Sequence, residues 1–179
     1  MPDELQIRLI RPEEFGAAGE LTMDAYREFA PARSSEWTEY LTRIGDIAGR
    51  AGHTTILVAL LDGSIAGTAT LELEQRVETD RDPPEPDEAH LRMLGVAPDL
   101  RRRGIARRLV EACIDEARRR GRSRLTLETT ERMLAAQALY RAMGFRFVGS
   151  REVAPGLVFQ DYELLIAAQE PDPALPAAT

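Results

Sequence analysis

Several residue types are scarce in this sequence, and each scarcity excludes a class of protein. The 179 residues contain no lysine, so a phosphate-binding loop that ends in Gly-Lys-Ser or Gly-Lys-Thr is impossible. One cysteine, Cys113, rules out an internal disulfide, and with two histidines it offers no metal-ligand spacing. No apolar run reaches the roughly 20 residues that span a bilayer, and the acidic N-terminus lacks the apolar segment of a signal peptide. We therefore expect a cytoplasmic protein with no membrane segment and no metal.

The remaining composition is that of an ordinary globular domain, with 44% hydrophobic and 30% charged residues. A chain of this length predicts one domain, residues 1–167, followed by a disordered Pro/Ala-rich tail, residues 168–179. The net charge of −7 is unevenly distributed, since residues 101–124 carry +7 and residues 72–88 carry −6. A basic segment beside an acidic one predicts an anionic cofactor and a cationic partner.

A strand followed by a glycine- and arginine-rich helix start organises the rest of the chain. The apolar run Leu91–Val96 predicts a buried strand, and apolar residues spaced three and four apart predict a helix from Gly104 to about Arg120. A helix start has unpaired N–H groups and a partial positive charge, so the small Gly104 and the arginines Arg101–Arg103 favour a bound diphosphate. The alternative is an ordinary turn with a solvated arginine face.

Two motifs in the chain resemble those of the GNAT superfamily of N-acetyltransferases. The pattern V-x-P-x-x-R-x-x-G-I-A-x-x-L at residues 96–109 is similar to the family's acyl-CoA-binding motif. The pattern A-x-x-L-Y-x-x-x-G-F at residues 136–145 is similar to its second cofactor-side motif. Two motifs in the right order are more specific than either alone, and with the first strand and the Asp62-Gly63 hairpin the resemblance covers nearly the whole chain.

The resemblance implies an α/β (α+β) fold with a mixed, mostly antiparallel sheet of about seven strands, flanked by about four helices. It also implies a splayed central strand pair that holds coenzyme A. Residue patterns predict strands at Leu5–Ile10, Thr54–Leu61, Ser64–Glu74, Ala89–Val96, Leu125–Glu128, Phe145–Gly149 and Val158–Ile166. They predict helices at Pro12–Phe29, Glu36–Arg50, Gly104–Arg120 and Glu131–Met143. Gly95 predicts a bulge in the fourth strand.

The resemblance further implies acetyl-CoA as co-substrate, bound by residues of both motifs and the strand before them. These are Leu94, Gly95, Val96, Arg101, Arg102, Arg103, Gly104, Ile105, Ala106, Arg107, Met133, Ala136 and Tyr140. Met133 is a departure, because relatives commonly have an asparagine there that contacts the cofactor arm. Tyr140 stands where the family often has the general acid that protonates the departing thiolate; the alternative is a buried structural tyrosine.

A general base is also required, because an amine must lose a proton when it attacks a thioester. Many relatives have a carboxylate near the start of the central strand; that position is His90 here, with Glu88 two residues earlier on the same face. An unperturbed histidine pKa of about 6.5 suits a proton acceptor, whereas Glu88 would act through a water. The alternative for His90 is a structural residue satisfied by a neighbour. Arg92, on the same face, could instead contact an anionic group of the acceptor.

The first two helices wall the acceptor site in the family, so we predict that Tyr26, Phe29, Trp37 and Tyr40 line a pocket, with core packing as the alternative. The sequence thus predicts an N-acetyltransferase that acts on a small amine, amino acid or peptide amine in a ternary complex. The alternative is a catalytically silent acyl-CoA-binding or regulatory module of the same fold. A pI near 5 and few aromatic residues beside the arginines disfavour nucleic-acid binding. The resemblance leaves a homodimer open.

Overall fold

The computed structural model describes residues 4–29, 35–77 and 82–167. The predicted tail over 168–179 lies outside the described residues, as do parts of the predicted N-terminal segment, of the loop after the first helix and of the acidic segment (residues 1–3, 30–34 and 78–81). No described helix has both the length and the apolar character that crossing a membrane requires.

Seven strands and five α-helices make up the described fold. The strands are β1 (Leu5–Leu9), β2 (Thr55–Leu61), β3 (Ser64–Glu72), β4 (Glu88–Val96), β5 (Arg124–Thr130), β6 (Arg146–Ala154) and β7 (Leu157–Leu165). The helices are α1 (Phe15–Arg27), α2 (Ser35–Gly45), α3 (Ile47–Ala51), α4 (Ile105–Arg119) and α5 (Leu134–Ala142). Short 3₁₀ turns at Pro12–Glu14 and Pro98–Leu100 precede α1 and α4.

The strands form one mixed sheet in the order β1-β2-β3-β4-β5-β7-β6. All neighbouring pairs are antiparallel except β4 and β5, which are parallel. A parallel pair needs a long crossover, and α4 provides it. The predicted mixed, mostly antiparallel seven-stranded sheet is confirmed.

Helices cover both faces of this sheet. The side chains of β2 alternate between two cores: Leu57 and Ala59 pack in the core that α4 completes, while Ile56 and Val58 pack in the core that α1 and α3 complete. A strand buried on both faces reads as a continuous apolar run, which is how β2 reads in the sequence. Cys113 lies in the core on the α4 side, as predicted, and burial raises the pKa of its thiol to about 12.

Five described helices replace the predicted four because the second predicted helix is two helices. At Asp46 the backbone leaves the helical region, and its carboxylate accepts a 2.8 Å hydrogen bond from the N–H of Gly49. Asp46 therefore caps a separate helix, α3.

The fifth helix begins at Leu134 rather than at Glu131, and the strand before it is longer than predicted. β5 continues through Thr130 because that residue pairs with Phe159 of β7. The residues between Thr130 and Leu134 form the turn into the helix, so the helical pattern overshoots the real start by three residues.

The bulge in β4 lies just before Gly95, at Met93 and Leu94. Thr68 of β3 pairs with Gly95 and Thr70 pairs with Arg92, so one residue of β3 stands opposite two of β4. Met93 takes up the extra length with a φ of +52°, a conformation that is uncommon for residues other than glycine. Gly95 has a different role: a Cβ there would lie 3.1 Å from the Cβ of Ala25, so the glycine lets α1 pack against β4.

Candidate active site

The two central strands separate halfway along their length and leave a cavity between them. β4 and β5 pair from Glu88 with Arg124 to Leu91 with Leu127, and within the described residues the pairing goes no further although both strands continue. The β4–β5 cavity, about 600 Å³, begins where the pairing ends. The predicted splay of the central strands is confirmed.

The predicted cofactor residues converge on this cavity. All of them except Arg103 line it: Leu94, Gly95, Val96, Arg101, Arg102, Gly104, Ile105, Ala106, Arg107, Met133, Ala136 and Tyr140. Leu94 on β4 and Tyr140 on α5 line the same cavity because α5 packs beside the open end of the splay.

One end of the β4–β5 cavity is the start of α4. Gly104 is the N-cap residue with a φ of +80°, and no side chain caps the helix. A Cβ on Gly104 would meet no atom within 4 Å, so the space in front of the first N–H groups is open. A bare helix start with a partial positive charge, flanked by Arg102 and Arg107, is suited to a phosphate group.

Arg101 links this end of the cavity to α1. Its guanidinium forms an ion pair with Glu28 and donates a 3.1 Å hydrogen bond to the carbonyl oxygen of Ala25. These contacts tie the loop before α4 to the end of α1, which fixes the position of the helix start.

Tyr140 lies in the middle of the β4–β5 cavity wall. Its ring packs against Phe145 and Tyr162, with centroids 5.6 and 6.2 Å away, and its hydroxyl makes no hydrogen bond within the described part of the chain. Burial raises the pKa of the hydroxyl above its ordinary value, so it is protonated at neutral pH and can donate a proton.

His90 and Glu88 are both buried, with His90 Nδ1 3.8 Å from a carboxylate oxygen of Glu88, and they line neither cavity. The hydroxyl of Thr126 donates to the Glu88 carboxylate at 2.6 Å, so its oxygen accepts the 2.7 Å hydrogen bond from His90 Nδ1. This order puts the proton of a neutral His90 on Nδ1 and leaves Nε2 as a buried atom with no partner. Burial lowers the pKa of His90, which favours that neutral form. Within the described ranges, no three His, Cys, Asp or Glu side chains are grouped to hold a metal ion.

A second cavity, the aromatic cavity, has a volume of about 550 Å³ and lies between the first two helices and the β6–β7 end of the sheet. The four predicted pocket residues all line it: Tyr26, Phe29, Trp37 and Tyr40. Their rings touch one another, with Trp37 and Tyr40 centroids 4.9 Å apart. Burial raises the pKa of Tyr26 and Tyr40, so both hydroxyls are uncharged at neutral pH.

The two cavities meet, and Glu128 lies at the junction. The residues common to both linings are Tyr26, Phe29, Arg92, Met93, Glu128, Thr129, Arg132 and Met133. Among the described residues Glu128 is the one carboxylate that lines both, and it forms an ion pair with Arg151. Glu128 is not among the site residues predicted from the sequence. The available signal was its position at the carboxyl end of a predicted strand, on the opposite face from Leu125 and Leu127.

Comparisons with known proteins agree with this geometry. Residues 20–145 match the model of the acetyltransferase (GNAT) family. The chain is 37% identical over 111 residues to "Probable N-acetyltransferase camello" of Xenopus tropicalis, covering 62% of this chain and 46% of that protein. It is 46% identical over 59 residues to the [ribosomal protein bS18]-alanine N-acetyltransferase of Escherichia coli K12, covering 33% and 40%. The chain thus spans less than half the length of these curated relatives.

Among solved structures, the fold resembles that of a Salmonella typhimurium protein determined with its cofactor acetyl-CoA. The TM-score is 0.64 and the identity 18%, over 97% of this chain and 99% of that one. This likeness concerns the fold, and the family model extends over most of the same residues. The chain belongs to the acetyltransferase (GNAT) family.

Proposed function

We propose that this protein is an N-acetyltransferase that moves an acetyl group from acetyl-CoA to a primary amine of a small molecule, amino acid or peptide, with both substrates bound at once. The observation that carries the proposal is the junction of the two cavities at Glu128, Met93 and Arg92. One cavity ends at a helix start that no side chain caps, and the other is lined in part by aromatic side chains, so two different ligands can meet between them. The N-acetyltransferase names of the relatives support this assignment.

The β4–β5 cavity fits acetyl-CoA at both ends. Backbone N–H groups at the start of α4 bind the diphosphate, with Arg102 and Arg107 beside them. Beyond Leu91, the backbone of β4 has no partner on the β5 side within the described residues, so its polar groups can bind the amide-containing arm. Acetyl-CoA supplies an acetyl group activated as a thioester. The N–H groups of the Leu94–Val96 segment stabilise the negative charge that develops on the acetyl oxygen.

Two side chains handle the protons, Glu128 at the junction and Tyr140 in the wall of the β4–β5 cavity. Glu128 accepts the proton that the attacking amine loses, directly or through a water, and Tyr140 donates a proton to the departing sulfur. His90 and Glu88, the base candidates from the sequence, remain alternatives to Glu128. Their burial behind the cavity wall requires a water path to the amine that Glu128 does not need.

Calorimetric titration with acetyl-CoA, using Gly104→Glu and Gly104→Gln, tests the cofactor site. Both substitutions strain the positive φ and fill the same space, so the difference between them reports charge alone. We expect micromolar binding by the wild type and a loss at least about tenfold larger for the acidic variant. Absence of wild-type binding would overturn the proposal.

Thiol release during incubation with a panel of primary amines then tests the transfer itself. Binding of acetyl-CoA without turnover of any amine would favour the silent acyl-CoA-binding module. Cytoplasmic location remains a prediction from the sequence, and the resemblance leaves a homodimer open.

A further inference from the structure

The aromatic cavity has an excess of positive charge on its walls. Four arginines line it, Arg43, Arg92, Arg132 and Arg151, against one carboxylate, Glu128. Arg92 is the most buried of the four, with 10% of its side chain exposed, so water screens its effect on a ligand least, whereas Arg43, Arg132 and Arg151 are exposed.

Ion pairs within the protein offset only part of this charge. Arg151 pairs with Glu128 and lies 3.4 Å from Asp161, and Arg92 has Glu72 at 3.6 Å. Across residues 4–29, 35–77 and 82–167, no carboxylate lies within ion-pair distance of Arg43 or Arg132. Arg43 instead stacks over the ring of Tyr40, 5.5 Å from its centroid, on the cavity wall.

A fifth arginine, Arg50 of α3, adds positive charge behind the cavity. It is 2% exposed; its Nε donates to the hydroxyl of Thr70 at 3.2 Å and its Nη1 to the carbonyl oxygen of Asp46 at 2.9 Å. Its Nη2 is buried with no partner, and no carboxylate of the described residues forms an ion pair with it. Thr70 is the β3 residue paired with Arg92, so this guanidinium lies near Arg92.

A buried guanidinium without a paired carboxylate destabilises the folded protein, because the two hydrogen bonds of Arg50 replace only part of the hydration that it loses. Burial lowers the pKa of Arg50 to about 10, with Asp46 acting to raise it and Arg92 to lower it, so the guanidinium remains charged at neutral pH despite this cost. Arg50 is therefore a buried positive charge, and it would stabilise an anion bound to Arg92.

We infer that the acceptor amine carries a carboxylate group and an apolar body, as a free amino acid with an apolar side chain does. Arg92, backed by Arg50, binds the carboxylate together with Arg132, and the rings of Tyr26, Trp37 and Tyr40 contact the apolar part. This inference rests on the proposed function, since it names the substrate of the same site. It differs from the cationic partner predicted from the acidic segment, whose described residues line neither cavity.

Binding of unreactive product analogues tests the inference without requiring turnover. We would titrate the protein, with and without coenzyme A, with N-acetyl-alanine, N-acetyl-leucine and N-acetyl-phenylalanine, and with the C-terminal amide of each. Acid and amide have the same shape and differ in charge. We expect at least one acid to bind about tenfold or more tightly than its amide, as for a hydrogen bond to a charged partner.

Substitutions of two arginines test whether the preference for the acid arises in the aromatic cavity. Arg92→Gln and Arg132→Gln should each weaken the acid about tenfold and change the amide less than about twofold. Arg119→Gln, a surface substitution at the far end of α4, should change neither. The inference is overturned if no acid binds more tightly than its amide, if neither compound binds, or if the variants weaken both equally. A preference for the amide would point to a peptide N-terminus as acceptor.

Failure here and failure of the proposed function are distinguishable. Loss of the proposed function appears as absent acetyl-CoA binding in the Gly104 series, whereas failure of this inference leaves that binding intact.

Discussion

Arg151 on β6 forms an ion pair with Glu128 on β5, although β7 lies between the two strands. The arginine side chain extends over β7, where its guanidinium also lies 5.5 Å from the ring of Phe159. This contact holds the carboxylate of Glu128 at the junction of the two cavities. It also makes the site depend on the outermost hairpin of the sheet.

Glu128→Gln tests the proposed proton acceptor. We expect kcat/KM for the amine to fall about 10²- to 10⁴-fold at pH 7, because the amide cannot accept a proton. Affinity for acetyl-CoA should change little, since the diphosphate end of the cavity is distant from the substitution. His90→Gln and Glu88→Gln serve as comparisons. If they abolish turnover and Glu128→Gln does not, the base predicted from the sequence is correct and Glu128 is not the base.

Tyr140→Phe tests the proposed proton donor. We expect kcat to fall about 10²-fold, because the departing thiolate loses its proton source. Burial raises the pKa of Tyr140, so the hydroxyl stays protonated and should cause no loss of wild-type kcat up to pH 10. Tyr162→Phe is the matched control, since the Tyr162 hydroxyl contacts Arg141 and Gln160 and lines neither cavity. Equal losses in the two variants would mean that Tyr140 acts through packing alone.

The parts of the site that the sequence predicts are those built from neighbouring residues. A strand, a turn and a helix start follow one another over Leu91–Ile105, so their residue types suffice to predict the open helix start at Gly104. Glu128 and Arg151 meet only because of the register of β5, β7 and β6, which no local pattern encodes. Asp46 shows a different limit: one capping carboxylate divides a continuous helical pattern into two helices.

Close packing of α1 against α2 predicts opposite effects for two glycines of the same helix. A Cβ at Gly19 would lie 2.3 Å from the backbone oxygen of Gly45, a contact that side-chain motion cannot relieve. We expect Gly19→Ala to lower the free energy of unfolding by about 1–3 kcal/mol. At Gly16 a Cβ meets nothing within 4 Å, so Gly16→Ala should raise the free energy of unfolding by up to about 1 kcal/mol. Urea denaturation of both variants decides the matter, and equal shifts would contradict the packing argument.

Burial of His90 predicts how the stability of the protein depends on pH, whether or not His90 takes part in catalysis. The carboxylates of Glu72, Glu88 and Glu128 act to raise the pKa of His90, and Arg76 acts to lower it. Burial has the largest effect, and the net result is a pKa below the ordinary 6.5. The unfolded chain therefore binds a proton at this position at a higher pH than the folded protein does.

Protonation of His90 should accordingly favour unfolding as the pH falls. The contribution of His90 to the free energy of unfolding is expected to be constant above about pH 7 and to decrease below pH 6.5, with a slope of at most about 1.4 kcal/mol per pH unit. His90→Gln removes the titrating group, so its slope between pH 7.5 and 5.5 should be smaller than that of the wild type.

Lost packing would shift the variant's stability by the same amount at every pH, which leaves the slope as the diagnostic quantity. Urea titrations at pH 5.5, 6.5 and 7.5 measure the two slopes, and identical slopes would mean that His90 accepts a proton as readily in the folded protein as in the unfolded chain.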